Sequence, residues 1–233
     1  MSVLLLRLAG PLQSWGDSSR FRRRATGRFP TKSGVLGMLA AAQGRRRTDS
    51  IEDLLELRFG VRVDQPGVVV SDFHTVHVNG PGKPPIITQR EYLSDAVFVA
   101  GVEGSDEVVE ALAECLERPH FPLFLGRRSC PVEGRLVLGI VATPLEEALA
   151  GAQWQAADHH RRRQGRSVQL RTVLDASGAS VSATPVHDLP ISFYPRAREY
   201  SWRSVVESTV TVPNPQGRVA EAGFVDWFAG MGA

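Results

Sequence analysis

The sequence predicts an α+β protein whose first 143 residues run strand, helix, strand, strand, helix, strand. Three observations lead there: short apolar runs closed by turn residues, two stretches of helical spacing opened by capping residues, and β-branched runs between them. That order is the split βαβ, ferredoxin-like (RRM-like) arrangement, whose sheet RNA-recognition modules often use. A fold of this kind does not by itself define a function.

The first strand covers residues 2–8, a short apolar run closed by Gly10-Pro11. Residues 13–29 read as a polar, basic loop. The first helix starts at Thr31 or Ser33 as N-cap and stops at Gly44, with Val35, Leu36, Leu39 and Gln43 at helical spacing. A second, short helix covers residues 50–57, capped by Ser50, with Glu52 and Asp53 in its first turn. Residues 59–64 and 68–78 are β-branched runs that predict strands. Asn79-Gly80-Pro81-Gly82-Lys83-Pro84-Pro85 reads as a turn or loop tip, and residues 86–93 return as the second arm of a hairpin. Residues 96–102 form another apolar strand. Ser105 caps a helix through Arg118, with Val108, Val109, Leu112 and Leu116 on one face. Residues 135–142 give a further strand. After Thr143 the pattern loosens: residues 154–165 are polar and basic, and residues 167–212 suggest short strands. Residues 144–233 are expected to form a smaller, mostly β second domain or a long elaboration of the first. No internal repeat is visible.

Composition removes several classes of protein. With 42% hydrophobic and 22% charged residues over 233 positions, the chain is neither disordered nor fibrous, and it has ample core to fold without staples. No apolar run approaches the ~20 residues of a spanning helix. Val3-Leu4-Leu5-Leu6 is too short for a signal-peptide core and is closed by Arg7. Cys115 and Cys130 cannot make a disulfide framework, which points to a reduced, cytoplasmic protein. Two cysteines and six scattered histidines give no structural metal site, and no cofactor is called for.

The net charge of +2 hides an asymmetry: residues 1–48 hold ten basic residues against one acid, Asp17, so the excess positive charge lies at the front of the chain. Between Ser18 and Thr48 there is no acid at all. A second basic run is Arg161-Arg162-Arg163 with Arg166 and Arg171. Arginine outnumbers lysine 25 to two, and the guanidinium fork pairs with phosphate and stacks on bases as lysine cannot. A GC-rich genome also writes Arg for Lys, but that bias does not cluster the residues. Locally single-signed charge points to a polyanionic partner. The competing reading for Arg20–Arg24 is a disordered basic arm.

Gly27-Arg28-Phe29-Pro30-Thr31-Lys32-Ser33-Gly34 ends where a helix begins. It is not a P-loop, because Thr31 stands where Gly must precede Lys-Ser and Pro30 removes an amide from the cradle. Nucleotide hydrolysis is thereby disfavoured. The helix start remains a natural anion site, or else a plain capped helix. Leu125-Gly126-Arg127-Arg128-Ser129-Cys130-Pro131 reads as a turn with two diverging arginines, and Cys130 as a small buried residue rather than a nucleophile. His74 and His77, three apart on a strand, face opposite sides and are no metal pair. His74, Tyr92 and Lys83 are the candidate set for the alternative function, a metal-independent endoribonuclease with His as general acid or base. His159-His160 reads as a solvated pair. Trp15 either stacks on a base or plugs the core. Trp154, Trp202 and Trp227 lack a tight basic–aromatic interleave.

Four blocks together carry a family resemblance. Leu6-Arg7-Leu8-Ala9-Gly10-Pro11-Leu12-Gln13-Ser14-Trp15-Gly16 is similar to the opening strand and loop of the Cas-five family, the subtype I-E subunits of the CRISPR Cascade complex within the RAMP superfamily. Residues 26–37 (TGRFPTKSGVLG), 72–76 with 88–98 (DFHTV, TQREYLSDAVF) and 125–131 (LGRRSCP) follow in the family's order. The resemblance spans residues 4–140. It implies a ferredoxin-like RAMP domain over residues 1–143, with a β-hairpin thumb over about 74–92. It implies a non-catalytic subunit that grips the five-prime handle of crRNA for antiviral defence. The implied neighbours are the backbone subunit CasC and the large subunit CasA, with target DNA met through the complex. A related subunit in subtype I-C cuts RNA, which keeps the endoribonuclease alternative open. On this reading Arg22, Arg24, Arg28, Lys32, Arg127 and Arg128 contact phosphates. Gln13, Ser14, Thr31, Ser33 and Gln89 bond bases or ribose hydroxyls, Trp15 and Tyr92 stack, and His74 is a further RNA-binding residue.

Overall fold

A computed structural model describes residues 1–16, 23–76, 85–177 and 182–218. Strand β1 (Ser2–Ala9) is followed by the two-residue strands β2 (Leu12–Gln13) and β3 (Arg23–Arg24). Helices α1 (Lys32–Ala42) and α2 (Glu52–Leu55) precede four strands: β4 (Arg58–Gln65), β5 (Val68–Val76), β6 (Ile86–Ser94) and β7 (Val97–Gly104). Then come α3 (Asp106–Glu117), β8 (Val137–Val141), α4 (Leu145–Gly151) and α5 (Asp158–Arg161). The last strands are β9 (Ser167–Asp175), β10 (Thr184–Ser192) and β11 (Glu199–Pro213).

The apolar run Val3–Leu6 of β1 follows from burial on both faces. Leu4, Leu6 and Leu8 pack in one layer with Val35, Leu36 and Leu39 of α1, Phe98 and Val102 of β7, and Leu112 of α3. Val3 and Leu5 point the other way, into a second layer with Val99, Leu145 and Leu149, so α4 covers the far side of the sheet. Each such Leu contributes ~1.5–3 kcal/mol on burial. A strand covered on both sides has no reason to alternate polar residues.

Seven strands form the larger sheet, in the order β10-β11-β9-β4-β7-β1-β8, with every neighbour antiparallel. The smaller sheet is centred on β6. Strand β5 lies along one edge over its whole length, from Val68 opposite Ser94 to Val76 opposite Ile86. The other edge is shared: β2 pairs with Leu93 and Ser94, and β3 runs parallel beside Gln89 and Arg90. The loop that opens the basic stretch therefore leaves β6 and returns to it.

The architecture is α+β, strand-rich with few helices. Thr31 is the N-cap of α1 and accepts from the Gly34 amide, and Ser105 does the same for Val108 at α3. Other expectations need correction. The short helix predicted over 50–57 shrinks to four residues with Ile51 at its cap position, although the Ser50 hydroxyl still accepts from the Glu52 amide. Helix α4 is not among the expected elements, although Glu146 and Glu147 in its first turn and Leu145, Ala148 and Leu149 at helical spacing mark it. Pro144 precedes it and offers no side-chain cap. The expected short strands after residue 167 include β11, fifteen residues long. The strands beyond Thr143 make no sheet of their own among the described residues, because β9 pairs with β4 and extends the first sheet. Among the described residues no helix is long and apolar enough to cross a membrane.

Candidate nucleic-acid interface

The residues of the first two sequence blocks interlock at the base of the basic loop. Gln13 is fully buried: its amide donates to the carbonyls of Leu8 (3.1 Å) and Ala96 (2.7 Å), and its Oε1 accepts from Trp15 Nε1 at 3.0 Å. The Trp15 ring lies against the first turn of α1, where a Cβ on Gly34 would come within 2.8 Å of it. Trp15 is tied to the returning strand of the loop by two bonds, from its amide to Thr26 Oγ1 (2.9 Å) and from the Gly27 amide to its carbonyl (2.6 Å). Ser14 donates its hydroxyl to the Glu91 carbonyl at 3.2 Å, and its amide to the Leu125 carbonyl at 3.1 Å. Gly126 turns there with φ +83°, and a Cβ would overlap the Ser14 carbonyl. Gln13, Ser14, Trp15 and Thr31 thus serve as scaffold, and the base-stacking role expected of Trp15 is excluded by its burial. Ser33 joins them, bonding Thr31 Oγ1 at 3.3 Å.

The anion expected at the start of α1 is supplied by the chain itself. The Lys32 amide donates to Asp188 Oδ2 at 2.8 Å. The Lys32 ammonium, expected to meet phosphate, is buried and donates to the Leu57 carbonyl (2.7 Å) and Asp175 Oδ2 (2.8 Å). Arg203 closes the network, reaching Asp188 through Nε (2.5 Å) and Nη2 (2.9 Å), and Asp175 through Nη1 (2.6 Å). Burial opposes the charge of Arg203, but the two carboxylates outweigh it and hold the guanidinium above its ordinary pKa. Two cations and two anions cancel, so this end of the helix presents no site to an outside anion.

What faces solvent is the smaller sheet. Register places Asp72, Arg90 and Arg24 side by side across β5, β6 and β3. On the same face Arg127 stacks its guanidinium 4.7 Å from the centre of the Tyr92 ring. Tyr92 is buried beneath it and cannot itself stack on a base. Arg127 also donates to the carbonyls of Glu91 (3.0 Å) and Arg24 (2.8 Å), clamping β3 to the turn. Arg24, Arg28 and Arg128 are exposed and have no side-chain partner among the described residues. Arg23, on the opposite face, pairs with Glu91 at 3.0 Å, and Arg45 chelates Asp53. Gln89 donates to Ser71 Oγ at 3.0 Å.

His74 pairs with Asp72 on β5. It lies opposite Thr88, four residues along β6 from Tyr92, a separation of ~13 Å at 3.3 Å per residue. With Tyr92 also buried, the described residues do not assemble the His–Tyr pair of the endoribonuclease alternative. Arg20, Arg22, His77, Lys83 and Trp227 lie outside the described residues, as does most of the expected hairpin tip. Burial raises the Cys130 thiol above its usual pKa, which keeps it protonated and unreactive. His159 is not simply solvated but meets Asp95 at 3.0 Å, and Trp154 is a core residue donating to the Asp64 carbonyl at 2.9 Å. Among the described residues no group of His, Cys, Asp or Glu could hold a metal ion.

Sequence reasoning missed Asp175, Asp188 and Arg203, and the fully buried Arg62. All five Arg62 donors are used: two on Asp64 (2.7 and 3.0 Å), and three on the carbonyls of Leu149, Ala152 and Gln153 (2.6 to 3.0 Å). A charged pair two residues apart on a strand was the one available signal.

Comparison with known proteins places this strand-rich α+β chain among CRISPR-associated proteins. The family model described as CRISPR-associated protein (Cas_Cas5) matches residues 3–206, and the chain belongs to that family. It is 38% identical over 158 residues to the CRISPR system Cascade subunit CasD of Escherichia coli (strain K12), covering 59% of this chain and 70% of that protein. Among solved structures it resembles a chain of a "CRISPR RNA-guided surveillance complex" (TM-score 0.77, 34% identity, 92% of each chain). It also resembles one described as "Crystal structure of Cas protein" (TM-score 0.70, 38% identity, 92% of this chain and 97% of that one).

Proposed function

We propose that this protein is a non-catalytic crRNA-binding subunit of a type I-E Cascade complex, working in the cytoplasm and gripping the five-prime handle of crRNA. The observation that carries this reading is the cross-strand placement of Arg24 and Arg90, with exposed Arg128 in the turn whose Arg127 bonds the Arg24 carbonyl, beside the buried Gln13–Trp15 lock. Such a placement suits a single strand whose phosphates meet guanidinium groups while its bases splay. Arg127, the more exposed member of its pair with Tyr92, takes over the stacking role expected of the tyrosine. The core is read as a ferredoxin-like RAMP domain over residues 1–143, supported by the order β8-β1-β7-β4 with α1 and α3 on one face. Residues 144–233 are read as its elaboration. The β5–β6 hairpin is read as the thumb directed at a CasC neighbour, with CasA as a further partner. Phe73 and Ile87, 67% and 61% exposed and diagonal across the hairpin, give it an apolar surface for a protein contact.

The test is fluorescence anisotropy with handle RNA. Arg24→Glu combined with Arg128→Glu is expected to weaken binding at least tenfold while far-UV circular dichroism stays unchanged. Undiminished affinity would remove this face from the site. Labelled repeat RNA incubated with the protein in EDTA is expected to stay intact, and specific cleavage would instead favour the endoribonuclease alternative.

A further inference from the structure

A second basic surface adjoins the proposed handle site and shares only Arg128 with it. The segment after α1 and the end of β10 enclose an open notch of about 350 Å³, lined among others by Arg47, Ser50, Ile191 and Tyr194. Ile191 and Tyr194 are exposed there. Arg128 and Arg198 approach from two other segments. Burial first, and then the charges of Arg198 and Arg128, lower the pKa of Arg47, so the three cations share one region. All three are exposed, and none has a carboxylate partner among the described residues. Arg128 follows Arg127, which bonds the Arg24 carbonyl at 2.8 Å, so the same turn joins this surface to strand β3.

The chemistry separates base from phosphate. Asp49 and Glu52 also line the notch, and their charges repel a phosphate from its interior. An aromatic ring and an isoleucine beside carboxylate acceptors suit a flat heterocycle with amino donors. The volume lies at the lower end of the range for small-molecule pockets, as a single base requires. Arg47 in the lining, with Arg198 and Arg128 close enough for their charges to act on it, suits the flanking phosphates. An acidic protein surface would use the arginines but leave the notch unfilled.

We infer that the notch receives one unstacked nucleotide of single-stranded RNA, its base against Tyr194 and its phosphates on Arg47, Arg128 and Arg198, continuing the strand from the Arg24–Arg90 row. This inference rests on the handle-binding reading above. The experiment uses the full chain and crRNA of its own locus, with 4-thiouridine placed at successive positions. Crosslinking should peak at one position and map to the peptide containing Tyr194. Arg198→Glu should lower affinity about tenfold and reduce the slope of log K against log salt by about one. Tyr194→Ala should lower affinity at least about fivefold and leave that slope alone, because stacking displaces no counterion. If Arg24→Glu abolishes binding while the Arg198 and Tyr194 variants bind as the parent does, the notch is overturned and the handle reading stands. If Arg24→Glu also binds normally, both fall.

Discussion

Gly126 sits where two demands coincide: a left-handed backbone and contact with the Ser14 carbonyl. Gly126→Ala adds strain of ~1–2 kcal/mol for the conformation and ~1–3 kcal/mol for the displaced neighbour. A loss of ~2–5 kcal/mol in thermal or urea unfolding is expected; a variant as stable as the parent would show that the turn adapts. Lys32 makes the opposite point. A lysine beside a helix start suggests phosphate, yet its ammonium is spent on Asp175 and Leu57. Lys32→Met leaves Asp175 short of a buried partner, which typically costs ~3–5 kcal/mol when a buried pair is broken. Stability should fall while the RNA affinity of the remaining folded molecules holds. The reverse pattern, intact folding with weakened binding, would return Lys32 to the RNA site.

At the level of elements, the turn joining α1 to α2 is held by Arg45 and Asp53. The Arg45 guanidinium, bonded to Asp53, keeps that carboxyl below the usual carboxylate range. A depressed carboxylate contributes stability above its unfolded pKa and loses it as pH falls through the folded value, so the effect fades below about pH 4. Asp53 is more than half exposed, which limits the pair to ~0.5 kcal/mol. Asp53→Asn should therefore melt slightly below the parent at pH 7 and coincide with it near pH 3; a gap that persists in acid would assign the loss to packing instead. Elements such as β1, α1, β7 and α3 were legible in the sequence because their signals are local: Thr31 and Ser105 cap their own helices, and apolar spacing reports burial. Helix α4 carries a local signal too, Glu146 and Glu147 in its first turn with Leu145, Ala148 and Leu149 at helical spacing, which the expectation passed over; the two-residue strands β2 and β3 carry none, since neighbours rather than propensity hold them. The site was half legible. The blocks around Gln13, Trp15 and Lys32 were read as contact surface, and the structure shows them as buried scaffold beside the proposed site. Amide, indole and ammonium groups serve an RNA strand or a buried carbonyl equally well. The carbonyl of Ala96 is 83 positions from Gln13, and Asp188 is 156 from Lys32.

Across the whole molecule, the buried ion network and the shared sheet argue against two independently stable halves. Thr172, Val173 and Leu174 of β9 cover the outer edge of β4 at Arg62, Val61 and Gly60. A chain cut after residue 143 would expose that edge as an open template for aggregation. It would also leave the Lys32 ammonium without Asp175 and the α1 amide without Asp188, and it would strip α4 from Val3, Leu5 and Val99. Arg203→Ala applies the same logic with one side chain, because it strands two carboxylates against α1 and β4; about 3–5 kcal/mol should be lost. Since the network bridges both parts of the chain, the loss should appear as a shift of one cooperative transition, read identically by tryptophan fluorescence and by far-UV circular dichroism. Residues 1–143 expressed alone should then aggregate or give no dispersed NMR spectrum, and co-expression with residues 144–233 should restore a soluble pair. A well-folded monomer of the first 143 residues, or two separate melting steps in the Arg203 variant, would show that the β4–β9 junction is a contact between domains and not a seam within one.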